Sequence, residues 1–139
     1  MRKRGKQAVM LLCACVLSWL AAGCSVEQTD GNKLEDLAFT VVEEEAIPDE
    51  LKTQIESRKE MEFKLAYENG DKLYIVRGYG EKETGGYSIA VQDVYLTKNA
   101  VCFSSTLIGP GENEEVTKAP SFPYVVVEVS NYNKNVVFL

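Results

Sequence analysis

Gly80-Glu81-Lys82-Glu83-Thr84-Gly85-Gly86-Tyr87-Ser88-Ile89-Ala90-Val91 is the stretch that decides the fold. Its first half is charged and rich in glycine, and its second half begins an alternating, strand-like pattern at once. Strand-like segments lie on both sides of it, at 72–79 and 100–108. The stretch therefore predicts a loop–strand junction around which a small domain is built.

The residues before the junction predict a helix and a hairpin. Residues 48–59 begin with Pro-Asp-Glu and end with Arg-Lys, which suits the two ends of a helix dipole. Leu51 and Ile55 share one helix face, and so narrow an apolar stripe requires a sheet to pack against. Residues 61–67 and 72–79 flank Asn69-Gly70, the strongest short signal for a hairpin turn.

The residues after the junction predict further strands. Tyr87, Ile89 and Val91 share one face, whereas Val94 and Leu96 have the opposite parity. A bulge near Gln92-Asp93 reconciles the two faces. Three more strands are predicted: a central strand at 124–129 that is apolar on both faces, a short last strand at 136–139 and a first strand at 37–42.

These elements predict an α+β fold. Its mainly antiparallel, curled sheet has six or seven strands, is barrel- or sandwich-like, and carries one short helix packed on it. We expect a single domain at 34–139, preceded by a flexible tether at 24–33 and a signal peptide at 1–23.

The N-terminus has the layout of a secretory signal. Four basic residues precede an uncharged run at 8–22, which is shorter than the roughly 20 residues that a spanning helix needs. Residues 20–24, Leu-Ala-Ala-Gly-Cys, resemble the lipobox of bacterial lipoproteins, although Ala21 stands where leucine is usual. Cys24 is thus expected to be lipidated, anchoring the protein on the extracytoplasmic face of the cell membrane. An ordinary cleaved signal and an uncleaved anchor are the alternatives.

Charge and cysteine content narrow the classes of partner. Four of the 15 basic residues precede Cys24 and all 21 acidic residues follow it, so the processed chain has a net charge of −10. Such a chain is not expected to bind nucleic acid. Cys102 is the one thiol left after processing and lipidation, so no disulfide forms within the mature chain.

Catalytic and cofactor chemistry finds little support in the sequence. The chain has no histidine, which excludes Ser-His-Asp and Cys-His catalysis and any histidine-ligated metal. Cys102 lies between Val101 and Phe103 and is expected to be a packed core residue. The glycines at 78–86 lack the remaining residues of a dinucleotide or phosphate loop. We therefore expect no catalytic residues, no metal and no cofactor.

Two motifs resemble a known family. Thr84-Gly85-Gly86-Tyr87-Ser88-Ile89, preceded by Tyr74-Ile75-Val76-Arg77-Gly78, is similar to the C-terminal domain of the protease complex subunit PrcB family. Phe122-Pro123 and the strand after it resemble that family's closing Pro-Tyr strand, so the likeness runs from Glu60 to Val129. The resemblance implies a secreted, often lipid-anchored accessory protein without catalytic residues.

A partner-binding surface is predicted at the junction, with a structural role as the alternative. In the functional interpretation the loop presents Tyr79, Lys82 and Thr84, held by Gly85, Gly86 and Tyr87. In the structural interpretation the glycines only fix the corner and Tyr87 is buried.

The sequence thus favours a non-enzymatic, lipid-anchored accessory or binding protein, including the subunit or scaffold of a surface protease complex. An envelope hydrolase or small-ligand binder using carboxylates in a barrel mouth is the alternative. A purely structural envelope domain is the third interpretation.

Overall fold

A computed structural model describes residues 32–139, and Lys33–Leu139 form one compact unit. The predicted signal peptide at 1–23, the lipidation site Cys24 and most of the predicted tether lie outside the described residues. Among residues 32–139, no helix combines the length and the hydropathy needed to cross a bilayer. The elements in chain order are β1 (Glu35–Asp36), β2 (Thr40–Val41), a 3-10 turn (Glu44–Ala46), α1 (Asp49–Arg58), β3 (Glu62–Asn69), β4 (Lys72–Tyr79), β5 (Ser88–Leu96), β6 (Ala100–Ile108), β7 (Tyr124–Ser130) and β8 (Asn135–Phe138).

The strands form two four-stranded sheets. The outer sheet has the order β1-β5-β6-β8, and the middle sheet has the order β2-β7-β4-β3. Neighbouring strands are antiparallel except β6 and β8, which run parallel. The prediction of a mostly β fold with one helix is confirmed, but the sheets do not close into a barrel. The described residues hold eight strands, rather than six or seven, in a sandwich-like arrangement.

The main core lies between the two sheets. Ile75 and Val127 of the middle sheet and Val101 of the outer sheet are 0% exposed, and Phe103 packs in the same cluster. Alternate residues of each strand point to this interface, as the period of a strand requires. Burial of these apolar side chains is the main force that holds one sheet on the other.

A second core lies between the middle sheet and the helix. Leu51 and Ile55 of α1 are buried against Val76 and Val126, which point to the opposite face of β4 and β7. The predicted helix, its apolar stripe and its position on a sheet are therefore confirmed. The middle sheet is buried on both faces, which explains why 124–129 is apolar at both parities.

The segment 37–42 is not the continuous strand that its β-prone residues predict. β1 pairs with β5 in the outer sheet, and β2 pairs with β7 in the middle sheet. Leu37 lies between these two short strands and is buried in the inter-sheet core. The chain therefore passes from the outer sheet to the middle sheet between β1 and β2.

Two predicted local features are present, the bulge in β5 and the turn between β3 and β4. The register of β5 against β6 shifts between Val91 and Asp93, which is the bulge expected from the parity change. The β3–β4 hairpin pairs Asn69 with Lys72, so Gly70 and Asp71 are the two turn residues. Gly70 has φ +65 and Asn69 does not have positive φ, which fits a turn with glycine at its first central position.

A close contact between β3 and β4 yields a stability prediction. Gly78 lies opposite Phe63, and a Cβ built on Gly78 would stand 2.1 Å from a ring carbon of Phe63. We expect Gly78→Ala to lower the free energy of unfolding by about 1–3 kcal/mol, because a buried ring must move. Urea denaturation measures this.

The double variant Gly78→Ala, Phe63→Leu serves as the control. The smaller side chain makes room for the methyl group, so its loss should be smaller than the sum of the two single losses. Additive losses would show that the ring does not limit position 78.

Candidate partner-binding site

The junction loop, residues 80–87, connects β4 of the middle sheet to β5 of the outer sheet. Its backbone is hydrogen-bonded to a second loop, residues 109–123, which we call the opposing loop. Lys82 and Ser121 exchange two backbone hydrogen bonds of 2.8 and 2.9 Å. The Gly85 amide donates to the Thr117 carbonyl at 2.9 Å. The two loops therefore form one hydrogen-bonded unit at this end of the molecule.

A side-chain bond reinforces this unit. The Ser121 hydroxyl donates to the Thr84 carbonyl at 2.6 Å, while the Thr84 hydroxyl bonds the Gly85 carbonyl at 3.1 Å. Thr84 and Lys82 remain partly exposed. The hydroxyl of Thr84 thus bonds a neighbouring backbone group, while the side chains of Thr84 and Lys82 still contact solvent.

The two glycines of the motif have different roles. Gly86 has φ +90, and a Cβ there would lie 2.6 Å from Val116 and 3.0 Å from Pro110. Gly85 does not have positive φ, and a Cβ there would meet nothing closer than Thr117 at 3.5 Å. Positive φ is therefore required at Gly86 and not at Gly85.

Sequence reasoning missed a third glycine of this loop. Gly80 has φ +77 and lies against the backbone of residues 60–62, with the Glu62 nitrogen 3.2 Å from the position of a Cβ. The Glu81 amide donates to the Glu60 carbonyl at 3.1 Å. Gly80 therefore allows the chain to turn out of β4 close to the start of β3.

The two tyrosines of the site are partly buried. The Tyr79 hydroxyl bonds the Ser105 hydroxyl of β6 at 2.5 Å, and the Arg77 guanidinium lies 4.4 Å from the centre of its ring. Tyr87 is half-buried, with a ring carbon 3.5 Å from the position of a Cβ on Gly109. Tyr79 therefore links the middle sheet to the outer sheet, while Tyr87 lies beside Gly109 of the opposing loop.

The six predicted site residues are therefore near one another in the chain but not equivalent. Lys82, Thr84 and Tyr87 have partly exposed side chains on the two-loop unit, while Tyr79 extends between the sheets. No sequence signal linked Ser121, Thr117 and Ser105 to the site, because all three lie far from the motif in the chain and only the fold brings them close.

Acidic side chains beside β2, at the border of the middle sheet, bear on the carboxylate alternative. Two adjoining grooves of about 310 and 430 Å³ both include Lys72 and Glu128. The Glu128 carboxylate is 2.9 Å from the Lys72 ammonium and accepts a 3.4 Å hydrogen bond from Tyr74. That hydrogen-bonded ion pair raises the pKa of Lys72, and burial together with Glu128 raises the pKa of Tyr74.

The carboxylate that both grooves share does not have the arrangement of a catalytic pair. Glu128 is ion-paired, whereas paired catalytic carboxylates need one acid and one base facing a substrate. Among residues 32–139, no group of three or more acidic or cysteine side chains could hold a metal ion. Cys102 is buried, as predicted.

The different backbone conformations of Gly86 and Gly85 give a stability prediction in which Gly85 is the matched control. We expect Gly86→Ala to lower the free energy of unfolding by about 1–3 kcal/mol, because it adds strain at positive φ and a contact with Val116. Gly85→Ala should change it by less than about 0.5 kcal/mol. Thermal unfolding followed by circular dichroism measures both, and equal losses at the two positions would contradict the assignment.

Part of the chain matches a known family. The sequence profile of the family described as PrcB C-terminal matches residues 73–130. A search of curated proteins and a search of solved structures each found no match to the chain.

The matched segment runs from the second residue of β4 to the last residue of β7, and it includes both loops of the candidate site. The resemblance is thus confirmed over residues 73–130, which match the PrcB C-terminal family. The match begins after the hairpin turn rather than at Glu60, so α1 and β3 lie outside it.

Proposed function

We propose that this PrcB C-terminal domain protein is a lipid-anchored, extracytoplasmic accessory protein that binds another protein, a protease in a surface complex. The family match over residues 73–130 carries the proposal, since the family takes its name from a protease complex subunit. An accessory role requires no catalytic residues, and the absence of histidine from the chain is consistent with that.

The two-loop unit is the surface that we propose for the partner. Loops held by a rigid scaffold commonly carry binding residues. Here the scaffold is the sheet pair, and the loops are fixed to each other through Lys82, Ser121 and Gly85. A surface with its backbone already fixed loses little conformational entropy on binding, which favours affinity.

The anchor rests on the sequence around Cys24. Several acyl chains, each contributing about 0.8 kcal/mol per buried methylene, hold a protein at a membrane stably. The acidic processed chain has no net electrostatic attraction to anionic lipid, so the lipid is needed for attachment. No observation favours the hydrolase or small-ligand alternative.

Lipidation predicts the behaviour of cysteine variants. We expect cells fed an alkyne analogue of palmitate to label the full chain, and mass spectrometry to find Cys24 as the modified mature N-terminus. Cys24→Ala should abolish the label, whereas Cys102→Ala, which changes a buried thiol, should keep it. Persistent labelling of Cys24→Ala would contradict the anchor.

Partner binding predicts a position-dependent cross-link. A photo-reactive phenylalanine analogue replacing Lys82 in the full chain should cross-link in intact cells to a protease or its complex, identified by mass spectrometry. The control replaces Lys98, which is exposed in the β5–β6 turn at the far end of β5. An absent adduct at position 82, or the same adduct at both positions, would count against the proposal.

A further inference from the structure

The edge of the outer sheet is incomplete beside the second half of β6. β8 pairs with residues 100–103 of β6, and the Leu139 amide then donates to the Phe103 carbonyl at 2.8 Å. β6 continues to Ile108, and its residues 104–108 pair with β5 on their other side. Within residues 32–139, no strand pairs with 104–108 on the β8 side.

The geometry of a strand identifies the free backbone groups. The N–H and C=O of one residue point to the same edge, and successive residues alternate between edges. Because the Phe103 carbonyl faces β8, the N–H and C=O groups of Ser105 and Leu107 face the open edge. The run Ser104-Ser105-Thr106-Leu107-Ile108 contains no charge and no proline, the usual protections of an exposed edge.

Two cations lie beside this edge, between the sheets. Lys64 of β3 is paired directly with Arg77 of β4, an arrangement that like charges make unfavourable. They line a cleft of about 100 Å³ together with Tyr79, Ser105 and Phe138. The described domain is otherwise acidic, with 19 acidic and 11 basic residues after Gly31.

The charge of this pair is weakly compensated within the described residues. The Arg77 side chain is 18% exposed, and its nearest carboxylate, that of the exposed Glu62, is 3.9 Å away. The Arg77 guanidinium also donates to the Gly78 carbonyl. No carboxylate of residues 32–139 forms an ion pair with Lys64, whose ammonium lies 5.9 Å from the centre of the Phe138 ring.

We infer that this edge and its cationic cleft bind an extended segment of a partner protein, which adds a strand beside Ser104–Ile108 and places a carboxylate between Lys64 and Arg77. The backbone groups of Ser105 and Leu107 supply the pairing, and the cations select acidic side chains. The inference deepens the proposed function, on which it rests, by naming the chemistry of the bound segment.

The direct test uses the full chain and a short capped peptide of alternating threonine and valine with two central glutamates. We expect the peptide to slow hydrogen exchange of the Ser105 and Leu107 amides by about tenfold or more. Two further peptides carry N-methyl groups on alternate residues, one on the odd positions and one on the even positions. Only one set of N–H groups faces β6 in a paired strand, so the peptide methylated on the other set should bind and the peptide methylated on the facing set should not. Unchanged exchange at both amides would overturn the inference.

Variants test the role of the cations. Lys64→Gln changes an exposed side chain and should weaken peptide binding by about tenfold, and replacing the glutamates of the peptide by glutamine should do the same. Lys72→Gln is the matched control, since Lys72 is an exposed lysine of the same sheet, on β4, but is ion-paired with Glu128. Equal weakening of peptide binding by both lysine variants would contradict selection of acidic side chains by the cleft.

Hydrogen exchange without peptide tests whether the edge binds a second copy of the chain instead. If exchange of the Ser105 and Leu107 amides slows as the protein concentration rises, the edge pairs with another copy of the chain and the inference is overturned.

Leu107→Pro distinguishes failure of the inference from failure of the proposed function. It removes an N–H that makes no described ladder bond. The cross-link from position 82 should be lost in this variant if the partner uses the edge, and its persistence would overturn the inference while the proposed function stands. Peptide docking without any cross-link would instead leave the edge supported and the proposed function refuted.

Discussion

Burial of the middle sheet on both faces is the constraint on which the structure depends. Successive residues of β4 and β7 point alternately to the outer sheet and to α1, so both parities must be apolar. Ile75 and Val127 fill one side, and Val76 and Val126 fill the other. Within residues 32–139 the outer sheet packs in the first core and the helix in the second, so each is stabilised chiefly by the middle sheet.

This layering explains where the candidate functional surfaces lie. A sheet covered on both faces can present only its ends and edges to a partner. The junction loop and the opposing loop occupy one end, where the chain passes from the middle sheet to the outer sheet. The open half of β6 occupies one edge, next to the cations on β3 and β4. Tyr79 belongs to both regions, because its backbone ends β4 while its hydroxyl reaches Ser105.

The family match agrees with this division. It covers β4, β5, β6 and β7 with the loops between them, which is the inter-sheet core and the candidate site. The helix, β3 and β8 lie outside the match, although α1 and β3 complete the second core and β8 determines how much of the β6 edge is open.

The sequence by itself determined the elements whose signals are local. The helix at 49–58, the hairpin at Asn69-Gly70, the bulge after Val91 and the two-sided strand at 124–130 follow from periodicity and turn chemistry within a few residues. Only the tertiary structure decided the division into two sheets, the passage of Leu37 between them and the pairing of Lys64 with Arg77. Those outcomes depend on contacts between residues far apart in the chain. The alternation of apolar residues along a strand shows which face of the strand is buried, but it does not show which sheet or neighbouring strand buries that face.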